Sequence, residues 1–120
     1  MAMRAGRWTG LAMGLAGFLV AGMVSVNTAA ASDKSEEARG QKIVTDKCGG
    51  CHAVGATGAS PHKTAPPFRT LGQRYTIESL EEALGEGLVS GHPDMPEFVF
   101  EPEDVGAIMA YLKSIQIKAQ

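Results

Sequence analysis

Apolar side chains recur along this chain with different spacings, and each spacing predicts a different segment. Between Leu11 and Val26 they form a nearly continuous run, interrupted by little beyond glycine and serine. Ala38, Ile43 and Val44 offer a narrow apolar face to a helix from about Ser35 to Lys47, with the polar stretch from Ser32 to Glu37 as a frayed lead-in. Ile77, Leu80, Leu84 and Leu88 then repeat at helical spacing while Glu78, Glu81, Glu82 and Glu86 take the outer face. A second helix is expected there, with Thr76 as its N-cap and Gly87 or Gly91 as its end. Its acids fall in the early turns, where they complement the helix dipole. A last helix is expected from Pro102 or Glu103, with Glu103 and Asp104 in its first turn and Val105, Ile108, Met109, Leu112 and Ile115 turned inward.

The stretches between these helices follow no such period. Ala53 to Pro67 is built mainly from Gly, Ala, Ser, Thr, His and Pro, which excludes a regular helix or a central strand and predicts a loop laid over something else. A short helical turn is expected around Phe68 to Gln73, and Gly91 to Pro96 reads as a second, stiffer loop. Nothing alternates as a strand does, so the expected fold is all-α. Gly40 sits where alanine would propagate the first helix better; periodicity leaves it open between a tolerated glycine and a close approach of a second backbone.

Chemistry enters at Cys48-Gly49-Gly50-Cys51-His52, immediately after the first predicted helix. The string is C-x-x-C-H, which attaches a haem through two thioethers and gives its iron an axial imidazole. Two cysteines at this spacing near a helix end meet the two vinyl groups on one porphyrin edge, and the next residue places its side chain under the iron. The competing reading is a C-x-x-C redox dithiol, since Cys48 and Cys51 are the only cysteines. That reading needs a thioredoxin-like βαβ setting and leaves His52 without a role.

The apolar run near the N-terminus bears on where such attachment takes place. Arg4 and Arg7 precede it without any acid, and Thr28-Ala29-Ala30-Ala31 follows it with small residues. This is the order of a secretory signal peptide, with cleavage expected after Ala31 or one or two residues earlier. Residues 1–31 are therefore assigned as a leader and 32–120 as one domain, exported to the periplasm. The rival expectation is a retained membrane anchor, because Trp8 to Val26 approaches spanning length. Removing Arg4 and Arg7 changes the balance from 11 basic against 13 acidic residues to 9 against 13, a formal net of −4. An acidic domain argues against nucleic acid and for partners with a basic docking face. A domain this small buries a marginal core, a shortage that a large apolar cofactor relieves.

A haem iron has a second axial position. Beyond residue 31 the chain holds two methionines, Met95 and Met109, and two histidines besides His52, namely His62 and His92. Met109 lies in a helical apolar stripe, the ordinary place for a core methionine. Met95 stands between Pro93 and Pro96 in a polar loop whose backbone those prolines stiffen, and it is the expected ligand. His62 reads as a solvated loop residue. His92 shares the Met95 loop and is the rival ligand, one that would lower the reduction potential.

Taken together, these residues resemble small class I c-type cytochromes, in particular the exported bacterial single-haem kind, over about Glu36 to Gln116. Gly40, Val44 and Cys48 repeat that family's spacing ahead of the haem motif. The resemblance implies a fold of three to four helices wrapped around one covalent haem c, with the first and last helices crossing at Gly40 near an aromatic residue, here Tyr111. It also implies that the carbonyl of Pro66, or else of Pro67, accepts a hydrogen bond from His52. Phe68 would pack on the haem, Arg74 would sit near a haem propionate and Tyr75 would add a hydroxyl. Val44 departs from the aromatic common at its position, and Trp8, the only tryptophan, lies in the leader.

The function expected is electron carriage rather than enzymic turnover, by a monomer shuttling single electrons through a haem held by His52 and Met95. Its partners would be redox proteins: a quinol-oxidising complex, a terminal oxidase or a periplasmic dehydrogenase, with membrane contact only if the leader is kept. The alternatives are a dedicated electron-accepting subunit of one dehydrogenase, and a haem peroxidase or gas-binding protein with an open sixth position.

Overall fold

The computed structural model describes residues 28–89 and 92–117, and within them the chain is helical without strands. Helix α1 spans Thr28–Cys48, α2 spans Ser79–Glu86 and α3 spans Pro102–Ile115, with a 3₁₀ segment at Phe68–Gln73 between the first two. The all-α expectation holds for this region.

Helix α1 begins ahead of the expected Ser35. Ala29, Ala30 and Ala31 are strong helix formers, and they carry the helix outward although Ala30 to Ser35 bury nothing. Ala38 is exposed, which corrects its assignment to the apolar face; Gly40 and Val44 are buried and Ile43 half-buried. Met1 to Asn27, which hold most of the expected leader and the whole Trp8 to Val26 span, lie outside the described residues. The expected cleavage point after Ala31 falls in the first turn of α1. Among the described residues no helix is long and apolar enough to cross a membrane.

Helix α3 starts with Pro102, followed by Glu103 and Asp104 in the first turn, and has Lys113 in its last. This order suits the missing proline N–H and the helix dipole. Val105, Ile108, Met109 and Leu112 are buried as their spacing requires, joined by Ala107 and Tyr111. Met109 is thus a core residue. The α1–α3 crossing is decided at Gly40: a β-carbon there would lie 1.9 Å from the carbonyl oxygen of Ala107. Only a bare α-carbon lets the two backbones come this close. Beside it, the Arg39 guanidinium donates to the Glu103 carbonyl at 3.0 Å and to the Asp104 carboxylate.

The 3₁₀ segment is tied to the end of α3 by one side chain. Gln116 accepts from the Gly72 N–H at 2.8 Å and donates to the carbonyls of Phe68 at 3.0 Å and Leu112 at 2.7 Å. Helix α2 starts later than expected because Thr76, Ile77 and Glu78 form a turn of i to i+3 bonds first. Thr76 is not the N-cap, a position held by Glu78; its carbonyl instead accepts from the N–H and hydroxyl of Ser79. Gly87 ends α2 at φ 113°, a conformation that favours glycine. The chain then returns along α2, with the Leu88 N–H bonded to the Phe98 carbonyl and the Phe100 N–H to the Leu84 carbonyl. That pairing fixes the base of the loop carrying Met95. Val44, Leu71, Ile77, Leu84, Val105, Ile108, Met109, Tyr111 and Leu112 form one core beneath these elements.

Candidate haem site

Cys48 is the last residue of α1, and the backbone keeps turning beyond it. The amides of Cys51 and His52 both donate to the Cys48 carbonyl, at 3.1 and 2.9 Å. This tight turn follows from Gly49-Gly50 and sets both thiols and the imidazole at one helix end. Both cysteines are free thiols, Cys51 exposed and Cys48 partly buried. Burial pushes the Cys48 thiol up to about 11, with the neighbouring Cys51 adding to the effect.

His52 is oriented by the loop that follows. Its Nδ1 lies 2.8 Å from the carbonyl oxygen of Pro66. A carbonyl only accepts, so Nδ1 carries the proton and Nε2 keeps its lone pair, the state a metal ligand requires. The Phe68 ring stands 4.9 Å from the imidazole, tilted by 41°. The loop itself is anchored by Phe68 N–H to the Ala53 carbonyl at 2.9 Å, and by the Ala53 N–H to the Ser60 hydroxyl at 3.0 Å. Tyr111 reaches from α3 to donate to the Val54 carbonyl at 2.9 Å. The motif, the Pro66 loop and α3 are therefore one connected unit.

Met95 is half-buried in its loop, and its N–H donates to the His92 carbonyl at 3.1 Å. His92 faces His62, their rings 5.6 Å apart and nearly perpendicular, with the Thr64 hydroxyl 3.0 Å from each. The loop expected to be solvated at His62 is thus in contact with the loop of Met95. Gly91, its expected first residue, lies outside the described residues.

Arg74 and Tyr75 are both exposed, Tyr75 to 56%. Arg69 differs: its Nη1 is buried and has no hydrogen-bond partner among the described residues. A buried guanidinium nitrogen left unpaired is costly, and an acidic edge of a cofactor would satisfy it. Sequence reasoning missed Arg69 because its only signal was adjacency to Phe68. It missed Thr64 because a polar loop residue carries no period.

These residues fit a haem. Two free thiols stand at attachment spacing, an imidazole presents Nε2, and Arg69 holds an unsatisfied buried donor. Cys48, Val54, Phe68 and Phe100 add partly buried apolar surface against the core.

The family model for cytochrome c matches residues 37–116. The chain belongs to the cytochrome c family. That membership brings covalently bound haem c and haem-based electron transfer. The cytochrome is also similar to cytochrome c oxidase subunit 2 of Alkalihalophilus pseudofirmus, with 34% identity over 92 residues. The match covers 64% of this cytochrome and 25% of that protein, so the chain spans about a quarter of the length of the curated relative it matches. No solved structure matches it.

Proposed function

We propose that this cytochrome is an exported single-haem electron carrier, with its leader removed near Ala31, and not an enzyme. The observation that carries the proposal is the 2.8 Å contact of His52 Nδ1 with the Pro66 carbonyl, which leaves Nε2 as a committed ligand beside two thiols at attachment spacing. Bound haem supplies one-electron redox chemistry. Cys48 and Cys51 would hold it through thioethers, His52 Nε2 would occupy one face of the iron and the Met95 sulfur the other. Held on loops tethered through Pro66 and His92, these two side chains would keep exogenous ligands out and would change little in position between oxidation states. The Met95 thioether favours ferrous iron and raises the potential, which suits delivery to a strong oxidant. Similarity to an oxidase subunit supports a terminal oxidase as acceptor. Docking would be transient, through a small patch around the haem edge, with the net negative charge of the domain favouring a basic partner.

Redox titration of the purified holoprotein with its optical spectrum tests the reading. A low-spin spectrum, the weak band near the red end that marks methionine–iron ligation, and a single one-electron wave are expected. High-spin ferric iron, or ready carbon monoxide binding at neutral pH, would overturn it in favour of an open-site haem protein.

A further inference from the structure

We propose that Thr64 is the positioning residue that joins the supports of the two axial ligands, and that it sets how often Met95 leaves the iron. The proposal rests on the reading of Met95 as the second ligand.

Thr64 stands two residues before Pro66, whose carbonyl orients His52. Its hydroxyl also lies 3.0 Å from His92 Nε2, and the His92 carbonyl accepts the N–H of Met95 at 3.1 Å. One side chain therefore stands between the tether of one ligand and the tether of the other. The second contact of the hydroxyl, 3.0 Å to His62 Nδ1, leads back to the haem motif, because the His62 N–H donates to the Cys51 carbonyl at 3.1 Å.

Hydrogen-bond chemistry gives this junction a direction. A threonine hydroxyl donates one proton and accepts others, so between two imidazole nitrogens it donates to one and accepts an N–H from the other. The Asp94 carboxylate lies 3.6 Å from His62 Nε2 and favours a proton there, leaving Nδ1 to accept from Thr64. His92 Nε2–H then donates to the hydroxyl oxygen. Each bond makes the other a better one, because donation polarises the oxygen that accepts. Valine has nearly the same shape as threonine and can make neither bond. Serine can make both.

The test uses holoprotein carrying Thr64→Val or Thr64→Ser, with imidazole as an external ligand competing for the methionine position on ferric iron. Two hydrogen bonds of ordinary net strength correspond to roughly a tenfold change in the population of the opened loop. Thr64→Val is expected to bind imidazole about tenfold faster, while Thr64→Ser stays near the wild-type rate. His62→Phe combined with Thr64→Val should add little to the Thr64→Val effect, since both cut one strap. A wild-type spectrum without the red-end band would remove the Met95 reading and this proposal with it. The band present, with Thr64→Val binding imidazole at the wild-type rate, would overturn the strap alone. Equal acceleration in Thr64→Ser would also overturn it, because the hydroxyl would then not be the cause.

Discussion

Gly40 presses its bare α-carbon against the Ala107 carbonyl, so that a β-carbon added there would come within 1.9 Å of a backbone oxygen. Two effects of Gly40→Ala oppose each other. Helix propensity favours alanine by about 1 kcal/mol. Forcing a methyl into a closed backbone contact costs typically 1–3 kcal/mol or more, and here the obstacle is main chain, which cannot rotate away. Net destabilisation by about 2 kcal/mol is expected, read as a lower denaturation midpoint of the holoprotein. A midpoint equal to or above wild type would mean that the helices do not cross here.

His52 and Met95 are expected to fail differently. His52→Ala should lose the low-spin haem spectrum even where the thioethers form. Met95→Ala should keep covalent haem but lower the reduction potential, since the sulfur is what favours the ferrous state. Potentiometry on the two variants separates them; an unchanged potential in Met95→Ala would transfer the ligand role elsewhere, His92 being the first candidate.

Tyr111 links burial to alkaline stability. Its phenol is held above the ordinary tyrosine range because burial disfavours the ionised form. Above pH about 10 an unfolded tyrosine loses its proton while the folded one retains it, so the unfolded state binds fewer protons and stability falls as pH rises. The stabilising preference is complete below the unfolded value and is lost above it. Tyr111→Phe should remove that part of the alkaline slope and cost roughly 1 kcal/mol at neutral pH through the lost bond to the Val54 carbonyl. Denaturant titrations of both proteins between pH 7 and pH 11 provide the comparison.

In the chain before haem attachment, the two thiols should react unequally. Burial holds the Cys48 thiol up near 11, whereas Cys51 is exposed. Since the thiolate is the reactive form, iodoacetamide at mildly alkaline pH should label Cys51 first, and the gap should narrow as pH approaches 11. Mass spectrometry of the folded apoprotein reads the order directly; equal labelling would show that the α1 end is open in that state.

How much was legible in the sequence varied with how much each residue buries. The apolar stripe of α3 followed from spacing because one face of that helix is almost wholly covered, and its start from Pro102 and the acids beside it. The start of α1 was not legible, since its extra turns rest on alanine propensity and touch nothing that leaves a periodic mark. The start of α2 was misplaced because Ile77 keeps the helical spacing while its backbone is still in the preceding turn. At the site, C-x-x-C-H declared itself through a fixed spacing, and Pro66 came through resemblance. Arg69 and Thr64 could not be read, because a buried orphan nitrogen and a hydroxyl bridging two loops are properties of three-dimensional proximity.

The clasp between α1 and α3 also imposes an order on assembly. Arg39 reaches Asp104 across 65 positions of chain, and closing a loop of that length costs about 4 kcal/mol of chain entropy before any contact repays it. The helix bearing Cys48 emerges in synthesis before its partner α3. A nascent chain thus displays its two thiols before α3 can close the fold behind them.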